Sequence, residues 1–372
     1  MNNNLTLKIE RAISELRRGG KVVIADNNNN LSILITPAEL VKDDTIDQFS
    51  NLAKSRPNIL LSANRCKAIG INTNNKPCSI LINKKWNSSD IMSICLPLSD
   101  QERPEISGVI PESTSGIASS ALLLLRQARL LPAAIISLVS YIPLDNVKDW
   151  CFKNNLIHVD LEEILIYEQA TADSLIMEVK ANVPIAHTDN CEIIVFRPRD
   201  GGHEHFCLIF GKTRKIQKSS RTNPLVRIHS QCITGDILDS LKCDCGNQLK
   251  NSIKMMADAD EGVLIYLSQE GRDIGLLNKL RAYSLQESGM DTVQANENLG
   301  FNDDERLYYP AKQILSQLKI NHVRLITNNP KKVNHLNNLG INVTERIPIK
   351  IKPNKHNKNY LYTKSKKSGH LL

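Results

Sequence analysis

Three of the nine cysteines in this 372-residue chain, Cys232, Cys243 and Cys245, are separated by ten intervening residues and then by one. A single fold-back of the chain brings their sulfurs together. Thiolates suit zinc, and a catalytic zinc keeps three protein ligands while leaving a fourth position for water or substrate. Three close cysteines with no obvious fourth ligand fit an open site better than a closed structural one. The C-x-C spacing is not that of a standard finger, and a free cysteine also packs as a small hydrophobe. Three buried thiols therefore stand as the alternative on spacing alone.

Four further clusters carry chemistry-bearing side chains. Gly262 to Leu267 reads as a buried strand, and Ser268-Gln269-Glu270-Gly271-Arg272 as a turn into a helix beginning near Ile274. A glycine-containing turn of this kind turns backbone N–H groups toward a ligand, although a plain strand-to-helix turn has the same pattern. In VRLITNNPKK a strand ends at Thr327, and Asn328-Asn329-Pro330 opens a helix with Lys331 and Lys332 in its first turn. Lysines there oppose the helix dipole, which makes sense where an anion such as phosphate lies between. Asp304 and Arg306 stand two apart and share a side in an extended segment; such a pair is otherwise an ordinary salt bridge. Tyr283 offers a phenol, or a ring that fills core.

The elements that must position these groups read as follows. A helix from about Leu5 to Arg18 places Ile9, Ile13 and Leu16 on one face and stops at Gly19-Gly20. The strands KVVIA and LSILI flank an asparagine run, Asn27 to Asn30. Ser119 to Leu130 reads as a buried helix, Pro132 precedes a strand, and DLEEILIYEQ closes the first half on a helix before strands resume at CEIIVFR. Nothing in residues 1–150 gathers carboxylates or histidines.

The net charge of +8 comes from the C-terminal stretch. Residues 346–372 hold eight basic and no acidic side chains, and the rest of the chain balances at 39 against 39. Such a tail reads as a solvated segment and at most an electrostatic lure for anions. Without a recognition motif it argues against nucleic-acid binding. The start lacks a signal-peptide pattern, and no apolar run reaches a membrane-spanning length. With an odd cysteine count, this gives the expectation of a cytoplasmic protein with reduced thiols and no membrane partner.

VRIHSQCITGDILDSLKCDCG, QEGRDIGLLNKLRAY, LGFNDDER and LITNNPKKV, in this order and spacing, closely resemble GTP cyclohydrolase II from about residue 175 to the C-terminus. The resemblance implies Cys232, Cys243 and Cys245 as ligands of one Zn²⁺ per chain. It implies Asp304 as proton acceptor, Arg306 as the nucleophile toward the α-phosphorus, and Tyr283 as an aid to ring opening. The GTP-binding positions would be Arg227, Ile228, His229, Ser230, Gln231, Gln248, Glu270, Gly271, Arg272, Thr292, Thr327 and Lys332. Mg²⁺ would accompany the phosphates, and a homodimer is expected by analogy. The products would be formate, pyrophosphate and 2,5-diamino-6-ribosylamino-4-pyrimidinone phosphate, the first step of riboflavin biosynthesis. The family usually has Glu where this chain has Gln231, which removes a charge beside the zinc. That departure, with Asp273 a milder one, motivates the alternative of a weakened, GTP-binding pseudoenzyme.

The first half resembles dihydroxybutanone-phosphate synthase, the partner domain of bifunctional riboflavin-pathway proteins, with its chemistry missing. The family's acidic loop DREnEGDL reads Asp26 followed by Asn27-Asn28-Asn29-Asn30 here. Its Gly-His-Thr-Glu motif reads Gly116-Ile117-Ala118-Ser119, while the following Arg126, Ala128, Leu130, Pro132 and Ala133 stay in register. Magnesium needs hard oxygen ligands, which Asn, Ile and Ser do not replace. The expected fold class is α+β in two domains. Residues 1–172 would form an inactive synthase-like α+β domain, and 173–372 a cyclohydrolase-like mixed α/β domain with the zinc site and the basic tail.

Overall fold

The computed structural model describes residues 2–97, 102–214, 223–369 and 371. They form two compact units, one of residues 1–167 with 277–305, the other of 168–276 with 306–372. Each is built on a seven-stranded sheet with helices.

The first sheet contains β1 (Val22–Asp26), β2 (Leu31–Pro37), β3 (Asn58–Leu61), β4 (Cys78–Leu81), β5 (Val109–Pro111), β6 (Ala133–Leu138) and β7 (Ile157–Asp160). Their order is β5-β4-β3-β6-β2-β1-β7, antiparallel except where β7 joins β1. The central strands are apolar on both faces because helices cover both. Ile24, Ile35 and Leu60 pack with Ile9, Ile13 and Leu16 of the helix Asn2–Arg17 and with Ala121 and Leu125 of the helix Ile117–Gln127. Their neighbours of opposite parity, Val23, Leu34, Ile59 and Leu61, pack with Phe49, Ile91 and Ile94. The helix expected to begin at Ser119 begins two residues earlier, with Gly116 at its N-cap. Ser88–Cys95 is a helix with an Asn87–Asp90 capping box.

The asparagine run is a tight turn held by the one acid in it. The buried Asp26 accepts hydrogen bonds from the Asn28 and Asn29 amides, both at 3.1 Å, and from Asn29 Nδ2 at 2.8 Å. Its carboxylate is spent on forming the β1–β2 hairpin.

The second sheet runs β14-β13-β11-β12-β10-β9-β8. Its strands are β8 (Ile176–Asn182), β9 (Cys191–Arg197), β10 (His205–Gly211), β11 (Leu225–Ser230), β12 (Glu261–Leu267), β13 (His322–Ile326) and β14 (Asn342–Ile347). β11, β12, β13 and β14 are parallel, and β8, β9 and β10 extend the sheet antiparallel. The chain passes from β11 to β12 on one side and later returns to β13 on the other. β11 is thus a topological switch point, where loops at the strands' carboxyl ends diverge and leave room for a ligand. Val226, Ile228, Val263, Ile265 and Leu325 face the helix Tyr309–Gln317, while Leu225 and Leu264 face Met256 of the helix Cys245–Asp258.

The tail departs from the solvated reading. Lys358–Ser368 is a helix, Leu361 on it is buried, and Asn357 before it is fully buried. Leu361 and Thr363 give this basic stretch enough inward-facing surface to fold. No helix among the described residues is long and apolar enough to cross a membrane.

Ile265 is fully buried at the centre of β12, paired with both β10 and β11. Ile265→Ala should destabilise its unit by about 2–5 kcal/mol, read as a lowered urea midpoint of the unfolding transition reported by that sheet.

Candidate metal centre and active site

Two short stretches of chain gather the thiols. Cys232 follows β11 and caps the four-residue helix Ile233–Asp236, while Cys243 and Cys245 lead into the helix Cys245–Asp258. The three sulfurs lie within 4.8 Å of one another, and Cys232 Sγ is 3.7 Å from Cys243 Sγ. Four sulfurs placed tetrahedrally about zinc would be about 3.8 Å apart, from a Zn–S bond of about 2.3 Å. Glycines allow this approach. A Cβ on Gly235 would sit 2.8 Å from Cys243 Sγ and 3.1 Å from Cys232 Sγ, and one on Gly246 only 2.0 Å from the Gly235 carbonyl oxygen. The donor set, the sulfur spacing and this hollow together fit a thiophilic metal ion. Among the described residues, no other cluster of three or more His, Cys, Asp or Glu donors has this character. The neighbouring Cys232 thiol and burial push the Cys243 thiol up to about 11, against an opposing hydrogen bond from Cys245. Binding a metal would therefore displace protons.

Three carboxylates hold this cluster: Asp236 and Asp244, which the sequence reading did not single out, and Glu270, which it placed at the nucleotide. Asp236 accepts from the Cys232 amide at 3.0 Å and from Tyr266 Oη at 2.9 Å, and lies 3.1 Å from His229 Nε2. Glu270 accepts from the Ile233 amide at 2.6 Å. Asp244, inside the C-x-C, accepts from Gln248 Nε2 at 2.5 Å, and Gln248 Oε1 accepts from Arg227 Nη2 at 2.5 Å. Asp236 stands four residues after Cys232 and Asp244 between two cysteines, so proximity in sequence to the thiols was the available signal.

Arg227 and His229 share the parity of Leu225 on β11, which turns both to the face packed by the helix Cys245–Asp258. Arg227 is buried and also donates to the Ile326 carbonyl at 3.0 Å. Burial pushes its pKa down, Asp244 and Cys245 pull it back up, and the positive charge of Arg306 pushes it down again. Arg306 thus belongs to the same electrostatic neighbourhood. Burial also pushes the His229 imidazole below its ordinary value, opposed by Asp236 and aided by Arg227 and Lys332. With Nε2 facing a carboxylate, the proton belongs there, and Nδ1 has no hydrogen-bond partner among the described residues.

The loops after β12 and β13 complete the carboxyl-end face. After β12, Gly271, Arg272 and Asp273 all adopt positive φ, of 65°, 61° and 76°. Two non-glycine residues in that region mark a strained turn of the kind that clusters at functional sites. The following helix is Gly275–Glu287, one residue later than expected. After β13, Thr327 Oγ1 accepts from the Asn329 amide, and Asn329 caps the helix Pro330–Asn338 by accepting from the Lys331 amide. The two lysines do not act as a pair. Lys331 is exposed, whereas Lys332 is buried, donates to the Ile228 carbonyl at 2.9 Å and lies over the Tyr308 ring. Ser230 and Gln231 end β11, with the Gln231 amide bonded to the Leu267 carbonyl.

The remaining expected residues fall in the other compact unit. Tyr283 is half-buried on the helix Gly275–Glu287 with the Lys279 ammonium 5.8 Å from its ring centre. Thr292 opens the helix Thr292–Asn298, capped by Asp291, and Asp304 is exposed on the irregular stretch that follows.

The family model for GTP cyclohydrolase II matches residues 177–348. A GTP cyclohydrolase-2 of Azospirillum brasilense is 37% identical over 98% of this chain and 94% of its own length. The chain belongs to the GTP cyclohydrolase II family. It is a hydrolase. The riboflavin biosynthesis protein RibBA of Endomicrobium trichonymphae is 32% identical across the full 100% of this chain and 99% of its own. The GTP cyclohydrolase-2 of Buchnera aphidicola, 48% identical, matches 49% of this chain and 92% of its own length. The family is therefore found both with and without a counterpart of the first half, and this GTP cyclohydrolase II homologue carries one.

Gly235→Ala should push the three thiols apart and lower metal affinity by about 10–100-fold. A competitive chelator titration of the purified protein would read this, with circular dichroism reporting an unchanged fold.

Proposed function

We propose that the chain hydrolyses GTP to formate, pyrophosphate and 2,5-diamino-6-ribosylamino-4-pyrimidinone phosphate, opening riboflavin biosynthesis. The observation that carries this reading is the thiol cluster at the switch point of the second sheet, with Arg227 on β11 and Lys332 in the first turn of the helix Pro330–Asn338, both buried. Cys232, Cys243 and Cys245 would hold zinc, whose chemistry when bound is to lower the pKa of water so that a hydroxide is available at neutral pH.

The chain's own residues supply the rest. The guanidinium of Arg227, oriented by Gln248, and the ammonium of Lys332 offset triphosphate charge, which Mg²⁺ shares. Glu270 and the left-handed Gly271–Arg272 turn border the nucleotide, and Ser230, Gln231 and Thr327 bring polar side chains to it from the neighbouring strand ends. His229 keeps a neutral imidazole whose free Nδ1 accepts. Ile228 contributes its main chain. From the first-unit segment, Thr292 contacts the nucleotide, Tyr283 donates at ring opening and Asp304 accepts a proton. Arg306 would attack the α-phosphorus: a guanidinium nitrogen loses a proton as the N–P bond forms and the P–O bond to pyrophosphate breaks, and water later cleaves the N–P bond to free the product phosphate and restore the arginine. The active protein would be a cytoplasmic homodimer, with 173–372 as its cyclohydrolase domain.

Residues 1–172 would have no synthase activity. Asp26 is buried and committed to the β1–β2 turn, and Gly116 to Ser119 bring no imidazole. Both observations support that reading.

Purified protein should contain about one zinc per chain and release formate from GTP with Mg²⁺. Cys243→Ser should lose both, and Asp304→Asn should retain zinc while kcat falls by about 100-fold or more. GTP bound by a zinc-loaded chain, with formate no higher than the Cys243→Ser background, would sink the assignment. Ribulose 5-phosphate with Mg²⁺ should give no dihydroxybutanone phosphate.

A further inference from the structure

The segment 277–305, which carries Tyr283, Thr292 and Asp304, forms one compact unit with residues 1–167. Its last stretch is held by side chains that begin the helix Ala63–Ala68. Ser62 Oγ donates to the Gly300 carbonyl at 2.7 Å, Asn64 Nδ2 to the Phe301 carbonyl at 2.8 Å, and Arg65 Nη1 to the Asn298 carbonyl at 3.0 Å. Phe301 is fully buried, and so is the chain's approach to Ser62: a Cβ on Gly300, whose φ is +91°, would meet Ser62 Oγ at 2.8 Å and Pro132 Cγ at 3.0 Å. Arg65 is only 3% exposed and spends its guanidinium on two main-chain carbonyls, those of Asn298 and Ile94. Burying a charge for such partners is costly, and burial pushes its pKa down to about 10.

The other end of the segment is held as well. Arg281 pairs with the buried Glu39 at 2.6 Å, Glu39 also accepts from the Leu131 amide, and Asn278 Nδ2 donates to the Arg129 carbonyl at 2.9 Å. Between Phe301 and Leu307 the chain has no helix or strand. The place of Asp304 therefore depends in part on what fixes its flanks: beside it Glu305, which accepts from the Asn302 amide at 2.8 Å and lies 3.7 Å from Arg126 Nε, and upstream the carbonyls bonded to Ser62, Asn64 and Arg65.

We infer that Ser62, Asn64 and Arg65 are positioning residues for Asp304, so that the first half of the chain sets the geometry of the cyclohydrolase reaction. The inference rests on the reading in which Asp304 accepts a proton. They do not touch substrate; they hold the main chain three to six residues upstream of the carboxylate. Proton transfer needs hydrogen-bond reach, and displacement of a group by about 1 Å costs about 100-fold in rate.

The test uses the full-length chain and formate release from GTP. Asn64→Ala and the double variant Ser62→Ala/Asn64→Ala should lower kcat by about 10–100-fold, with KM for GTP within about twofold of wild type and zinc content unchanged. Hydrogen exchange of the amides of residues 302–305 should quicken. Asn64 is half-buried and caps no helix, so the single variant carries the test if the double one folds poorly. Unchanged kcat in Asn64→Ala and the double variant, beside an Asp304→Asn variant that is inactive, overturns the inference alone. A fall in kcat accompanied by equal loss of zinc or a large rise in KM also overturns it. No formate from the zinc-loaded wild type overturns the functional reading beneath it.

Discussion

The second unit depends on one close approach of main chain to main chain. The turn after Cys232 and the first turn of the helix Cys245–Asp258 pack so tightly that neither Gly235 nor Gly246 has room for a Cβ. Any larger residue at either place would separate the thiols, whatever the rest of the sheet did. The carboxylates follow from that approach. Asp236 fixes the Cys232 amide, Glu270 fixes the Ile233 amide, and both reach in from positions set by the parallel strands. A metal cluster whose ligands sit on two short turns has little stiffness of its own, so the hydrogen bonds to its backbone supply it.

Charge follows the same logic. Arg227 and Lys332 are both buried on the side where strands end, a costly arrangement in a structure made only of protein. Arg227 donates to a glutamine side chain and to the Ile326 carbonyl, with the Asp244 carboxylate nearby, and Lys332 donates to the Ile228 carbonyl. Such acceptors fix the position of each cation. The field that remains suits a polyanion arriving at the switch point, where adjacent loops part. This explains why Lys332, which opposes the helix dipole in the first turn of its helix, is retained in the interior while Lys331 beside it is left to solvent.

Much of the second unit was legible in the sequence because its signals are local. Continuous apolar runs such as GVLIYL gave buried parallel strands, and C-x-C with Cys232 gave a three-thiol cluster. What was not legible is non-local. Asp236 and Asp244 look like ordinary loop acids until the fold brings His229, Tyr266 and Gln248 to them. The left-handed run at Gly271–Asp273 includes Arg272, a residue type that seldom adopts it, so local propensity does not announce the run. The basic tail misled for a related reason: its charge count hides the buried Leu361 and Asn357, and charge says little about fold.

The first half is held together by packing and not by charge. Its sheet keeps two well-packed faces, which depend on apolar parity. Asp26 survives because the turn between β1 and β2 needs an acceptor for two amides, a role an acid fills without any metal. Meanwhile Glu39, Ser62, Asn64 and Arg65 bind main chain and side chains of residues 277–305. Losing these contacts would leave buried carbonyls and a buried guanidinium without partners, a larger penalty than losing exposed catalytic groups. A reaction that uses the segment 277–305 would then require this half of the chain as well, because the segment it holds cannot be released without cost.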